Sequence, residues 1–219
     1  MFVGHYSAAL AAKAAEPRAP LWTYVIGCQL LDVAWASFLT VGVEKVRIDP
    51  TLPGSSLDLY DMPWTHSLPG ALAWSVAAAL AVRFAMKLPV RAALFVGLAV
   101  FSHWILDLAV HRPDLELWFG GPKVGLGLWN FPVPEEALEI GLLAVAGVFW
   151  AGWRVRAGRH VWPAALFLAL LVALQIYVAA SPQGDDPVKL GATGVLAYLA
   201  VGFVAWLVER GLPERPLRA

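Results

Sequence analysis

Residues 90–111 read Val90-Arg-Ala-Ala-Leu-Phe-Val-Gly-Leu-Ala-Val-Phe-Ser-His103-Trp-Ile-Leu-Asp107-Leu-Ala-Val-His111, an apolar run broken by ionisable groups at Arg91 and then at His103, Asp107 and His111. A helix rises about 1.5 Å per residue, so this run is long enough to cross the roughly 30 Å hydrocarbon core of a bilayer. Its spacing His-x-x-x-Asp-x-x-x-His repeats every four residues, which places all three polar side chains on one helix face. An ionisable group inside a membrane span is expensive and therefore points to a function. The run thus predicts a membrane helix carrying a polar site.

Five more runs of this length lie at about 21–43, 64–86, 135–157, 160–180 and 190–210. Pro20, Pro63, Pro89, Pro134 and Pro163 fall near their starts, and Gly158, Gly184 and Gly211 in or beside the turns, as helix punctuation requires. Residues 2–16 form a seventh, shorter candidate that reaches only about 22 Å. It suits either an interfacial helix or a short tilted one that pushes its N-terminus into the bundle. The composition agrees: 59% of the 219 residues are hydrophobic and 15% charged, against about 25% charged in soluble domains. The fold class predicted is an all-α polytopic membrane bundle of six transmembrane helices plus a short N-terminal membrane-embedded helix. The first positive charge is Lys13, unlike the basic start of a secretory signal, so the N-terminus is read as retained.

The formal net charge is zero, from 16 Lys+Arg and 16 Asp+Glu, which removes the usual basis for a nucleic-acid partner. The lone Cys28 closes no disulfide and reads as a small packing residue. Eleven of the sixteen Lys and Arg (Lys13, Arg18, Arg83, Lys87, Arg91, Arg154, Arg156, Arg159, Arg210, Arg215, Arg218) fall on the side of the 17–20 connection, here side A. The excess of positive charge marks side A, and with it the C-terminus, as cytoplasmic. Side B carries the two long loops, 44–63 and 112–134, and most of the acids. The glycine-rich stretch Gly120–Asn130 in the second loop suits either close backbone approach to a ligand or an aromatic-anchored interfacial loop, and matches no phosphate-loop pattern.

Depth unites the intramembrane polar groups. Counted from side A, Asp32 lies roughly 17 Å in, His103 and His5 roughly 20 Å and Asp107 roughly 26 Å, while His66 enters from side B by only about 3 Å. All five sit in the side-B half, on four helices. Imidazoles and carboxylates without thiolates suit zinc, or manganese or iron, and a divalent cation neutralises acids that lipid opposes. Singly, each has a plainer reading: Asp32 as a proton-relay carboxylate, His66 as a solvated histidine, His103 with Asp107 as a buried pair. His160 reads as a surface histidine, and Trp35, Trp74 and Trp104 as belt or core residues able to line a site.

The order Gly4-His5, Leu31-Asp32, Pro63-Trp-Thr-His66-Ser67-Leu68, Phe101-Ser-His103-Trp-Ile-Leu-Asp107 and Gly125-Leu-Gly-Leu-Trp-Asn-Phe-Pro132 resembles the LexA-binding, inner-membrane-associated metal-dependent hydrolase family over roughly residues 1–133. That family in turn is remotely similar to the zinc-dependent phospholipase C and P1-type nuclease group. The resemblance implies metal-ligand roles for His5, Asp32, His66, His103 and Asp107, with Asp107 bridging. The chain departs from it in lacking an acid-rich Pro-Asp-x-Asp stretch around Asp32, and in having only His111 and Glu139 as counterparts of the downstream ligands.

These readings converge on a single integral-membrane domain over 1–219, with the metal-site half at 1–133 and three supporting transmembrane helices at 134–219. The expected function is a divalent-metal-dependent hydrolase of a bacterial inner membrane. It would act on a lipid or lipid-linked phosphoester from the outer-leaflet side, with membrane lipid as its surroundings. His111 or Glu139 would be the general acid/base, and Arg112 or Lys123 would hold a phosphate. The rivals are a proton-coupled transporter, whose Asp32, His103 and Asp107 form a relay, and a scaffold in which the cluster fixes helix register.

Overall fold

The computed structural model describes residues 1–181 and 184–210. A 3-10 turn at Val3–His5 leads into α1 (Tyr6–Ala15), followed by α2 (Leu21–Cys28) and α3 (Leu30–Thr40). A hairpin of β1 (Lys45–Ile48) and β2 (Leu57–Asp61) precedes α4 (Leu68–Phe84) and α5 (Val90–Val110). A second hairpin, β3 (Leu115–Glu116) with β4 (Lys123–Val124), and a 3-10 turn at Leu128–Asn130 precede α6 (Pro132–Arg156), α7 (Trp162–Ala180) and α8 (Pro187–Arg210). The protein is mostly helical, and α5, α6, α7 and α8 are each long and apolar enough to cross a membrane. Gly211, expected beside a turn, and Arg215 and Arg218, counted on side A, lie outside the described residues.

Two of the expected spans take a different form. The run at 21–43 breaks at Gln29, whose N–H turns back to Ile26 O at 3.2 Å. Its buried side chain donates from Nε2 to Phe2 O at 3.0 Å, so a tertiary contact holds the break. The run at 64–86 becomes helical only at Leu68, where the Ser67 hydroxyl caps the Gly70 N–H and Pro69 occupies the first turn. His66 therefore stands in the turn ahead of α4, with its N–H on Met62 O at 3.1 Å. The two long loops hold hairpins that apolar periodicity did not signal, pairing Lys45 with Asp61 and Ile48 with Leu57, and Leu115 with Val124.

The N-terminal helix is core. Tyr6, Ala9 and Leu10 of α1 are fully buried in an apolar cluster with Tyr24, Trp150 and Phe167, and α1 packs chiefly on α6 and α2. At its side-A end the buried Lys13 ion-pairs with Glu209 of α8 and donates to Pro17 O and Ala19 O at 3.0 and 2.8 Å. A second apolar cluster, including Leu31, Trp35, Val100, Trp104, Val110 and Trp129, is built from sequence neighbours of the polar candidates. α4 packs on α5, and α8 packs on α3 and α2. The approach of α8 to α3 depends on Gly191, where a Cβ would sit 2.5 Å from Ala36 O. Small residues permit such close helix contact where lipid gives no hydrophobic drive.

Candidate metal centre

All five sequence-predicted ligands come together, and His111 joins them. α5 contributes His103 and Asp107 from one face, as their spacing requires, and His111 caps its C-terminal end. The break at Gln29 places Asp32 in the first turn of α3, the turn ahead of α4 brings His66, and the 3-10 turn ahead of α1 brings His5. Asp107 is the hub. Its Oδ1 lies 3.1 Å from His5 Nε2 and 3.3 Å from His111 Nε2, and its Oδ2 lies 3.1 Å from His103 Nε2 and 3.6 Å from His66 Nε2. Asp32 Oδ1 lies 3.4 Å from both His66 Nε2 and His103 Nε2. His5, His66, His103, Asp107 and His111 are buried, and Asp32 is the most open of the six, its side chain 13% exposed. The solvated-histidine reading of His66 is thereby overturned.

The hydrogen bonds behind the rings determine what the rings present in front. His103 Nδ1 lies 2.7 Å from Cys28 O, an acceptor, so Nδ1 carries the proton. His111 Nδ1 lies 2.8 Å from Asp114 Oδ1, with the same consequence. The Thr65 hydroxyl donates to Glu44 Oε2 at 2.7 Å, so the 2.7 Å contact between Thr65 Oγ1 and His66 Nδ1 requires a proton on that nitrogen too. With Nδ1 so occupied, all three rings turn Nε2 toward the two carboxylates. His103 Nε2 and both nitrogens of His5 lack a hydrogen-bond partner although fully buried. A metal-ligand histidine characteristically donates its other ring N–H to a carbonyl or carboxylate, as His103 and His111 do; beside them the buried Met1 ammonium donates to Asp107 Oδ1 at 3.2 Å.

Two groups have donor atoms all within 4.8 Å of one another: His5, His103 and Asp107, and Asp32, His66 and His103. The donor set of neutral imidazole and carboxylate fits a borderline divalent ion such as zinc. His111 belongs to neither group; it stacks on Trp129 with ring centroids 4.0 Å apart.

The other candidates are placed differently. Glu139 accepts from Phe2 N–H at 2.9 Å and Gly4 N–H at 2.8 Å, holding the turn that carries His5. Arg112 donates to Pro53 O, Ser55 O and Asn130 Oδ1 at 2.6, 2.9 and 3.0 Å, and Lys123 to Tyr60 O at 2.7 Å. Both bases secure the first hairpin. The glycine-rich stretch lies on the end of α5: Gly127 N–H bonds His111 O at 2.7 Å, and a Cβ at Gly125 would meet that same carbonyl at 2.5 Å. Trp104 Nε1 donates to His66 O at 2.9 Å and Trp35 sets its edge against the His66 ring, whereas Trp74 bonds Trp64 O. His160 is exposed, and Cys28 is buried.

Sequence reasoning missed Glu44, Asp114, Trp129 and Tyr198. Glu44 is buried, its carboxyl pushed up by desolvation, and it accepts Trp64 N–H and Thr65 N–H at 2.7 and 2.9 Å. Only the hairpin between them brings it to Thr65, so no local spacing announces it. Asp114 was legible as His-x-x-Asp. Tyr198 of α8 donates to Asp32 Oδ2 at 3.0 Å across 166 positions; a lone tyrosine in an apolar span was its only signal. With Glu139 on α6 and Tyr198 on α8, the region after 133 also supplies contacts to the site. Comparison with family models, curated proteins and solved structures finds no match.

Proposed function

We propose that the protein is a membrane-embedded metal-dependent hydrolase acting on a lipid or lipid-linked phosphoester from side B, akin to the LexA-binding, inner-membrane-associated hydrolases it resembles. The observation that carries this reading is the convergence of the His66, His103 and His111 Nε2 atoms on Asp32 and Asp107, each ring held from behind through Nδ1. His5, Asp32, His66, His103 and Asp107 would hold the ion, zinc fitting the donor set best. Bound there, a divalent ion would polarise a phosphoester and bring the pKa of a water toward 7.

The chain's own residues have distinct tasks in this reading. His111, outside both ligand groups and oriented by Asp114, moves the proton. Glu139 is a positioning residue that holds the His5 turn. Arg112 and Lys123 brace the hairpin whose ends carry Glu44 and the His66 turn. The arrangement includes six crossings, with α2 and α3 together making one and α4 another, and α1 embedded among them. Side A faces the cytoplasm of a bacterial inner membrane.

The experiment is hydrolysis of phospholipid and isoprenoid-phosphate substrates by the metal-loaded full chain in detergent, wild type beside His111→Ala. Turnover that falls at least about a hundredfold in the variant, the worth of general acid/base catalysis, with metal content kept, is the expected result. The proton-relay reading draws on the same buried cluster, and pH-driven flux in liposomes without bound metal would favour it.

A further inference from the structure

A groove of about 480 Å³ runs between α6 and α7, away from the histidine cluster, lined by Glu136, Ile140, Val172, Gln175, Ile176 and the alanines 179 and 180. Its polar floor is unusual for two lipid-facing helices. Gln175 is 5% exposed, and its Nε2 donates to both oxygens of Glu136 at 3.0 and 3.1 Å. That bond fixes the amide orientation and turns Gln175 Oε1 away, and this buried oxygen has no partner. A buried acceptor left unpaired is costly and requires explanation. Among the described residues, no Lys, Arg or His of this chain lies within ion-pair distance of Glu136.

The groove therefore lacks a cation and a hydrogen-bond donor at one place. Depth says where these come from. Glu136 lies four residues inside the start of α6 and Gln175 five residues before the end of α7, or roughly 6–8 Å in from the side-B ends, just within the side-B boundary of the hydrocarbon layer and in reach of a headgroup that dips below it. The remaining lining is aliphatic and suits an acyl chain.

We propose that this groove is a binding site for an amine-headed membrane lipid of the phosphatidylethanolamine class. Its ammonium lies against the outer side of the Glu136 carboxylate and reaches round the amide to Gln175 Oε1, and one acyl chain lies along Ile140, Val172 and Ile176. A primary ammonium has three donors and satisfies both groups at once. A trimethylammonium head has none, and a glycerol head carries no positive charge.

The test is lipid retention by the purified full chain, read by native mass spectrometry after exchange into mixed micelles holding equal amounts of ethanolamine-, choline- and glycerol-headed phospholipids of matched chains. The wild type is expected to retain the ethanolamine lipid about tenfold over either competitor, the worth of a charge-assisted hydrogen bond. Gln175→Leu and Glu136→Gln should each abolish the preference. Ala179→Trp, which fills the groove without touching its polar floor, should abolish retention and covers the case in which a polar variant fails to fold. Free ethanolamine should not compete at concentrations matched to the lipid, since it lacks the chain. Equal retention of the three headgroups, or a preference unchanged in correctly folded variants, overturns the proposal. Metal content and hydrolysis do not enter this readout, so it stands or falls apart from the metal centre.

Discussion

His5 and His103 stack face to face, with ring centroids 3.7 Å apart and planes 5° from parallel, and each points Nε2 at a different oxygen of Asp107 from 3.1 Å. Two imidazolium rings would repel one another at this separation, so two protonated histidines cannot account for the pair. A single protonated ring or a bound cation can each hold such a pair against the shared carboxylate, and only the cation needs both Nε2 atoms. His5→Phe preserves the stack and the buried volume while removing the donor nitrogen. We expect the variant to fold, with a melting temperature near that of metal-stripped wild type. Its metal affinity should fall by more than about a hundredfold, beyond the 10–100-fold that outer contacts usually contribute. Equilibrium dialysis of both proteins against zinc checks this.

Tyr198→Phe removes only the hydroxyl that donates to Asp32 Oδ2. Metal affinity should drop about tenfold, with about 1 kcal/mol or less lost from stability. A titration with a competing chelator gives the first quantity and thermal unfolding the second. Unchanged affinity would mean that the Tyr198 hydroxyl does not help to set Asp32.

Glu44 holds the His66 turn through Trp64 N–H, Thr65 N–H and the Thr65 hydroxyl. Glu44→Ala leaves those donors buried without an acceptor and should cost roughly 2–4 kcal/mol. Glu44→Gln retains one acceptor oxygen and should fall between the variant and wild type. Chemical unfolding in detergent measures the order of the three proteins. The Ala variant should also bind zinc more weakly, because Thr65 no longer presents His66 in one tautomer.

Gly191→Val places a side chain against Ala36 O, where even a Cβ would be 2.5 Å away. α8 must move off α3, at a cost of about 1–3 kcal/mol, and Tyr198 withdraws from Asp32 with it. Thermal unfolding should show the loss, and zinc affinity should fall about as far as in Tyr198→Phe. A destabilised variant with wild-type affinity would separate the packing from the site.

The helices and the polar cluster were legible for different reasons. A membrane span is announced by length and apolarity, so α5 to α8 follow directly from the sequence. His103, Asp107 and His111 follow from helical spacing on one of them. The break at Gln29 was not legible, since its cause is a contact with Phe2 O from a segment 27 residues away. Glu44 and Tyr198 were hidden for the same reason: a hairpin and a helix packing place them, and neither leaves a periodic trace. Depth counting brought Asp32, His5 and His103 together correctly. It put His66 inside a span, where the structure has a turn. Glu139, Arg112 and Lys123 were chosen for their charge, and charge alone does not say that backbone groups already occupy a side chain.

In the proposed reading the buried histidines and aspartates hold a metal ion. Transition-metal analysis of the purified full chain, wild type beside His103→Ala, tests it most directly, because His103 belongs to both candidate ligand groups. The wild type should hold at least about one equivalent of a divalent transition metal, and a variant that remains monodisperse and helical should lose it. A wild type that holds less, and that does not differ from the variant after incubation with zinc, would contradict it.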